Sequence, residues 1–220
     1  MPSDDERALV EGLLGRPPLG AFEVAVRDPD GQPVVIVNHP LLDDGRPMPT
    51  RYWLVGADLR VRIGTLESAG GVRAAEAAVD AAALAAAHER YASERDAAIP
   101  AGHEGPRPSG GVGGTRQGVK CLHAHVGSAL AGAPTPVGCS VVRFIVHLAA
   151  NLEAAARAKA AGHAVPNFVG RSQRKFHQFV RRPDSTQWHN MNTDEAAKIM
   201  ATLRTKDAKG KIPDICTTSR

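Results

Sequence analysis

The stretch Phe22-Glu23-Val24-Ala25-Val26-Arg27, then Asp28-Pro29-Asp30-Gly31, then Val34-Val35-Ile36-Val37 decides the fold class of this chain. Phe22, Val24 and Val26 alternate with Glu23 and Ala25, the period-two pattern of a half-buried strand. Asp, Pro and Gly at 28–31 supply turn chemistry, and the apolar run that follows reads as the return strand of a hairpin. A Pro-, Gly- and Asp-rich loop spans 38–50, and Arg51-Tyr52-Trp53-Leu54-Val55 supplies a third strand. The expected strands are roughly 20–27, 33–38 and 51–55.

Around this sheet the pattern is helical. Ser3 and Glu6 have capping-box spacing, and Gly15 closes a helix over about 4–14 whose stripe is Leu9, Val10, Leu13 and Leu14. Asp58 caps a helix bearing Leu59, Ile63 and Leu66, which stops at Gly70-Gly71. Residues 72–97 are Ala-rich without Pro or internal Gly, which predicts one continuous helix with Leu84, His88 and Tyr91 on one face. Seven glycines and three prolines over 99–118 predict a linker or mobile loop without a core of its own. Helical character returns from Val119 to Leu130. The predicted class is therefore α+β: a small three-stranded antiparallel sheet packed with several helices, plus a basic helical C-terminal extension.

Composition narrows the function classes. Of 220 residues, 43% are hydrophobic and 23% charged, as in a globular chain, and no apolar run reaches membrane-span length. The acidic N-terminus lacks the apolar core of a signal peptide. Three cysteines argue against a disulfide framework and for a reducing, cytoplasmic setting. The net charge of +4 divides unevenly. Residues 1–140 carry 13 Lys+Arg against 17 Asp+Glu, net −4, while 141–220 carry 14 against 6, net +8. That shift suggests a domain over 1–140 and a basic, partly helical extension over 141–220, partly disordered in part of its length.

The densest chemistry is Lys120-Cys121-Leu122-His123-Ala124-His125. A thiol and two imidazoles this close suit metal ligation or a nucleophile–base pair. On a helix Cys121 and His125 share a face at i, i+4, while His123 turns away, so two ligands are available and not three. Cys139 and His103 complete a set only if loops fold back, and the spacing matches no zinc ribbon or finger, so no metal ligands are expected. A Cys121 at the helix start would feel the macrodipole, which lowers a thiol pKa. Gly110 to Lys120 has the composition of a phosphate cradle but not the G-x-x-x-x-G-K-[ST] spacing, so a flexible linker is the stronger reading. Asp43 to Thr50 concentrates carboxylates that suit a ligand or Mg²⁺, or plain turn chemistry. In the basic segment, cations at 171–182 surround Phe176 and Phe179, which suits phosphate contact with base stacking or a solvated tail.

Four stretches in order resemble a known family. They are Pro40-Leu41-Leu42-Asp43-Asp44-Gly45-Arg46-Pro47-Met48-Pro49-Thr50-Arg51-Tyr52-Trp53-Leu54, Arg62 to Glu67, His88 through Arg95-Asp96, and Gly118 to His125. Pro136-Val137-Gly138 completes the pattern. The resemblance is to the bacterial, mainly actinobacterial family catalogued as domain of unknown function 501, over about residues 5–140. It implies a cytoplasmic protein without an established activity, often encoded near a septum-formation initiator and an exopolyphosphatase. Some members carry cysteines where this chain has Asp28-Pro29-Asp30 and Gly56-Ala57-Asp58, so a site built on those cysteines is absent here.

If the motif residues cluster, Cys121, His123, His125 and Glu67 are the candidate catalytic groups. Thr50, Tyr52, Tyr91, Arg95 and Lys120 are the candidate ligand-binding groups, toward an anionic small molecule. The leading expectation is a ligand- or partner-binding module linked to cell envelope or division through a protein partner. The alternatives are a hydrolase-like enzyme with a Cys121/His123/His125 site and a nucleic-acid binder acting through 171–182. No cofactor is assigned.

Overall fold

A computed structural model describes residues 2–68 and 70–142, together with 145, 157 and 160–162. The elements run α1 (Asp4–Leu14), β1 (Phe22–Arg27), β2 (Pro33–Asn38), β3 (Tyr52–Leu54), α2 (Ala57–Ser68), α3 (Gly71–Ala78), α4 (Ala81–Asp96) and α5 (Leu122–Leu130). A 3₁₀ turn at Val112–Gly114 precedes α5, and a further helix begins at 136. The architecture is α+β, with an antiparallel sheet in the order β1-β2-β3.

Local chemistry accounts for the element ends. The Ser3 hydroxyl accepts from the Glu6 N–H and the Glu6 carboxylate from the Ser3 N–H, a complete capping box, and Gly15 ends α1 at φ 71°. At the hairpin, Asp28 Oδ1 accepts from the N–H groups of Asp30 (3.0 Å) and Gln32 (2.8 Å), closing the turn. The Ala-rich segment is not one helix. Val79 and Asp80 are extended, and the Asp80 carboxylate accepts from the Ala83 N–H at 2.8 Å. An aspartate side chain competes well with the helical ladder, so it restarts the helix as α4 rather than continuing α3.

The sheet is covered on both faces. On one, Val10 of α1 packs with Phe22, Ile36 and Val55, flanked by Leu13, Leu14, Val24 and Trp53. On the other, Val35, Tyr52 and Leu54 meet Leu59, Ile63 and Leu66 of α2, Leu84 and Tyr91 of α4, and Leu122 and Val126 of α5. The β2–β3 register, Val35 opposite Leu54 and Val37 opposite Tyr52, sorts the pairs onto this larger core.

One expectation changes inside β1. Simple alternation puts Val24 and Val26 on the same face, but a register shift lies between them. Val24 pairs with Ile36 and joins the α1 face, whereas Val26 pairs with Val35 and joins the larger core. An extra residue in one strand reverses the facing of everything beyond it, so β1 serves both cores. Val137 lies in the larger core, and the packing continues beyond residue 140 with Val141, Val142 and Ile145. No helix among the described residues is long and apolar enough to cross a membrane.

Candidate functional site

The candidate residues separate into three groups instead of lining one pocket. The first surrounds the glycine loop. Arg95, 1% exposed, continues the stripe of Leu84, His88 and Tyr91 one turn further along α4. Its Nη1 donates to the carbonyl of Gly110 (2.7 Å) with longer contacts to Ser109 and Pro49, Nη2 donates to Pro108, and Nε pairs with Asp96 at 2.7 Å. Its donors are therefore committed to the protein's own carbonyls. Lys120 Nζ donates to the Gly113 carbonyl at 3.3 Å. The N–H groups of Gly111, Val112 and Gly114 go to Thr115 O, His88 Nδ1 and Gly111 O. Those N–H groups are bonded internally and so are not available to cradle a phosphate, the weaker of the two readings of this loop. Nor is it a linker without a core: Val112 is buried, and a Cβ on Gly111 would sit 2.4 Å from the Cβ of His88.

Tyr91 and Tyr52 meet edge-to-face at 5.8 Å beside this loop. The Tyr91 hydroxyl accepts from the Arg51 N–H (2.6 Å) and, more weakly, the Tyr52 N–H (3.4 Å), and burial pushes its phenol up to about 12. Thr50 enters through its backbone, its carbonyl accepting from Asn38 Nδ2 at 2.9 Å. Tyr91 thus ties the start of β3 to α4, while Thr50 ties the preceding loop to β2.

The second group organises the start of α5. Glu67 Oε1 accepts from the N–H groups of Leu122 (2.5 Å) and His123 (3.3 Å) and from His123 Nδ1 (3.0 Å). His123 Nε2 meets the Arg60 carbonyl at 3.1 Å, so both ring nitrogens face acceptors. Burial alone would raise Glu67 and lower His123. Their mutual hydrogen bond and charge reverse both, holding the carboxyl below its usual range and the imidazole above it. Glu76 assists by accepting from the Val119 N–H at 3.1 Å. Cys121 is the extended residue before the first turn, not part of the helix. Burial, with the nearby Glu67 charge, pushes its thiol up despite the helix start and Lys120. The expected lowering by the macrodipole is thus outweighed, because desolvation penalises the thiolate more than the helix end favours it.

The third group is an internal pair. His125 is 1% exposed, its Nδ1 lies 3.0 Å from Thr135 Oγ1, and its ring meets His88 edge-on at 6.0 Å. Burial and the neighbouring His88 push it down to about 3, and its Nε2 has no hydrogen-bond partner among the described residues. Val112 donates to His88 Nδ1, which leaves the proton on Nε2 for the Gly118 carbonyl at 3.0 Å. Cys121 and His125 therefore do not form the expected pair: one precedes the helix and the other bonds Thr135 inside the core. Among the described residues no three His, Cys, Asp or Glu side chains are grouped as metal ligands, and His103 instead meets the Pro106 carbonyl. The cations and aromatics at 171–182 lie outside the described residues.

A cleft of about 190 Å³ lies elsewhere, on the α1 side of the sheet. Leu19, Leu42, Met48 and Trp53 supply its apolar lining, and Arg16, Asn38 and His39 its polar groups. Arg16 follows the Gly15 cap and lies over the Trp53 ring at 5.2 Å. Among the described residues its guanidinium has no hydrogen bond or ion pair. The facing loop is a small closed structure: Leu41 bridges Pro47, Met48 N–H donates to the Pro40 carbonyl, and Asp44 binds Arg46 within the turn. The carboxylate of Asp44 thus serves turn chemistry. Arg16, Leu19 and His39 lie outside the candidate set read from the sequence. The available signal was the alternation of β3, which puts Trp53 on the face opposite Tyr52 and Leu54.

No curated protein and no solved structure matches the chain. The family model described as "Protein of unknown function (DUF501)" matches residues 24–143, more than half of the chain. The cleft therefore joins matched residues, Asn38 to Trp53, to the segment at 16–21 that precedes the match. By the extent of that match, this chain belongs to the DUF501 family.

Proposed function

We propose that this chain is a small-molecule-binding module whose site is the cleft between Arg16 and Trp53. One observation carries the reading: an arginine without an ion pair or hydrogen bond among the described residues is held on a tryptophan in the wall of an apolar cleft. Elsewhere in the domain, charged side chains such as Arg95, Glu67 and His123 are spent on backbone groups or on each other. Concave apolar sites with a few polar groups are the usual form of ligand sites. A role in envelope assembly or division through a protein partner belongs to the same proposal and is supported by the family resemblance.

A hydrolase acting through Cys121, His123 or His125 has less support. Its thiol is shifted up, and its two imidazoles are committed to Glu67 and Thr135.

The test is a fragment screen followed by ¹⁵N-resolved spectra of the full chain. The fragments are small aromatic and aliphatic acids, amides and amines. Binders are expected to shift the Trp53 indole N–H together with the amides of Leu19, His39 and Leu42. Hits confined to the Cys121–His125 segment, or no hit near Trp53, would overturn the reading.

A further inference from the structure

The cleft is chemically one-sided. Its lining holds Arg16, His39 and the amide of Asn38, and no aspartate or glutamate. Asn38 gives one Nδ2 hydrogen to the Thr50 carbonyl, which leaves its second N–H as a donor and its Oδ1 as an acceptor. Arg16 is the group able to meet a full charge. A guanidinium held over an indole at 5.2 Å, without a hydrogen bond or ion pair among the described residues, keeps its N–H groups available to pair with a planar carboxylate in two-point fashion.

Size and field restrict the partner further. About 190 Å³ is below the usual range for drug-sized ligands, so one ring or a fused pair fills it. Leu19 is 49% exposed at this site, an apolar surface that a bound ring would cover. Arg16 stands just past the C-terminal end of α1, where the helix dipole is negative. That end opposes accumulation of negative charge, so a dianion gains less here than a monoanion. The lining offers one permanent cation, Arg16, and no helix N-terminus of the kind phosphate sites commonly provide.

We infer that the cleft selects flat apolar monocarboxylates, Arg16 taking the carboxylate and Leu19, Leu42, Met48 and Trp53 the ring. This rests on the cleft being a ligand site, as proposed above, and adds charge selection to it.

The test compares near-isosteric probes on the full chain carrying Trp188→Phe, so that Trp53 is the sole fluorescent indole. Naphthalene-1-acetate, naphthalene-1-acetamide and naphthalene-1-ethylamine carry negative, zero and positive charge, and 1-naphthyl phosphate adds the dianion. The acid is expected to bind at least about tenfold more tightly than the amide, with the amine weakest and the phosphate no tighter than the acid. Arg16→Gln should erase the preference for the acid, and Arg16→Lys should restore only part of it, because an ammonium lacks the planar fork. Equal binding of acid and amide, or an unchanged preference in Arg16→Gln, overturns the charge selection while leaving the cleft as a binding site. Tighter binding of the phosphate overturns the monoanion assignment. Absence of binding by all four overturns the inference, and the fragment screen at Trp53 then decides separately whether the cleft binds anything.

Discussion

Arg95 Nη1 lies 2.7 Å from the carbonyl oxygen of Gly110, joining the last turn of α4 to the glycine loop through a side chain only 1% exposed to solvent. The same guanidinium reaches the carbonyls of Pro49, Pro108 and Ser109. One side chain thus fixes the loop before α5 and the loop before β3 together. A buried cation is tolerated because carbonyl dipoles and Asp96 replace its water.

Replacing Arg95 with Met is expected to cost about 3 kcal/mol, since several buried carbonyls lose their donor at once. Urea denaturation measures the loss, and limited proteolysis between 101 and 110 should accelerate at the same time. Arg95→Lys should lie between the two forms. A proteolysis rate unchanged in Arg95→Met would show that the guanidinium does not hold the loop.

Two glycines should respond oppositely to alanine. At Gly111 the new Cβ would sit 2.4 Å from His88 Cβ and 2.5 Å from its Nδ1, so Gly111→Ala should destabilise by roughly 2–4 kcal/mol. Gly12, inside α1, has nothing within 4 Å of the same position. Gly12→Ala should stabilise by about 0.5–1 kcal/mol through the lower entropy of the unfolded chain. Paired denaturation midpoints test both, and a common sign would contradict the contact geometry.

Stability should fall on acidification below about pH 6.5, and His125 should dominate that limb. Its folded pKa is about 3 against 6.5 for the free group, so its contribution is full above 6.5. It is then lost as pH falls, at about 1.4 kcal/mol per unit. His123 has the opposite sign: its raised pKa stabilises fully below 6.5, and this fades as pH rises through the folded value. Glu67, held low, contributes above its ordinary 4.5 and loses that contribution as pH falls through its folded value. Denaturation across pH 4.5–7 should show a shallower slope in His125→Leu than in the native chain, and equal slopes would exclude His125 as the cause.

Cys121 should behave as a sluggish thiol. With burial raising its pKa, modification by a disulfide reagent near pH 7.5 should be much slower than in the urea-unfolded chain. The measurement uses a variant with Cys139 and Cys216 replaced by Ser. A rapid phase in the folded protein would restore Cys121 as a nucleophile.

Sequence periodicity and turn chemistry determined much of this protein on their own. The capping box at Ser3, the Asp28–Gly31 turn and the order of strands and helices are local events, controlled by residues within a few positions of each other. The α3–α4 break was local too, at Asp80, but a composition rich in alanine hid a single capping carboxylate. The Val24–Val26 reversal and the candidate site were decided only in three dimensions. Arg95, Glu67, His123 and His125 carry the chemistry of a site, yet their partners lie 10 to 63 positions away in the chain or, for Asp96, next door. Those partners consume the donors and acceptors that a ligand would need. Arg16 looked unremarkable beside a helix stop, and what distinguishes it is that folding sets it on Trp53, 37 residues later, without a polar partner among the described residues. Residue type states what a side chain can bond to; only tertiary packing determines which of those bonds are already made.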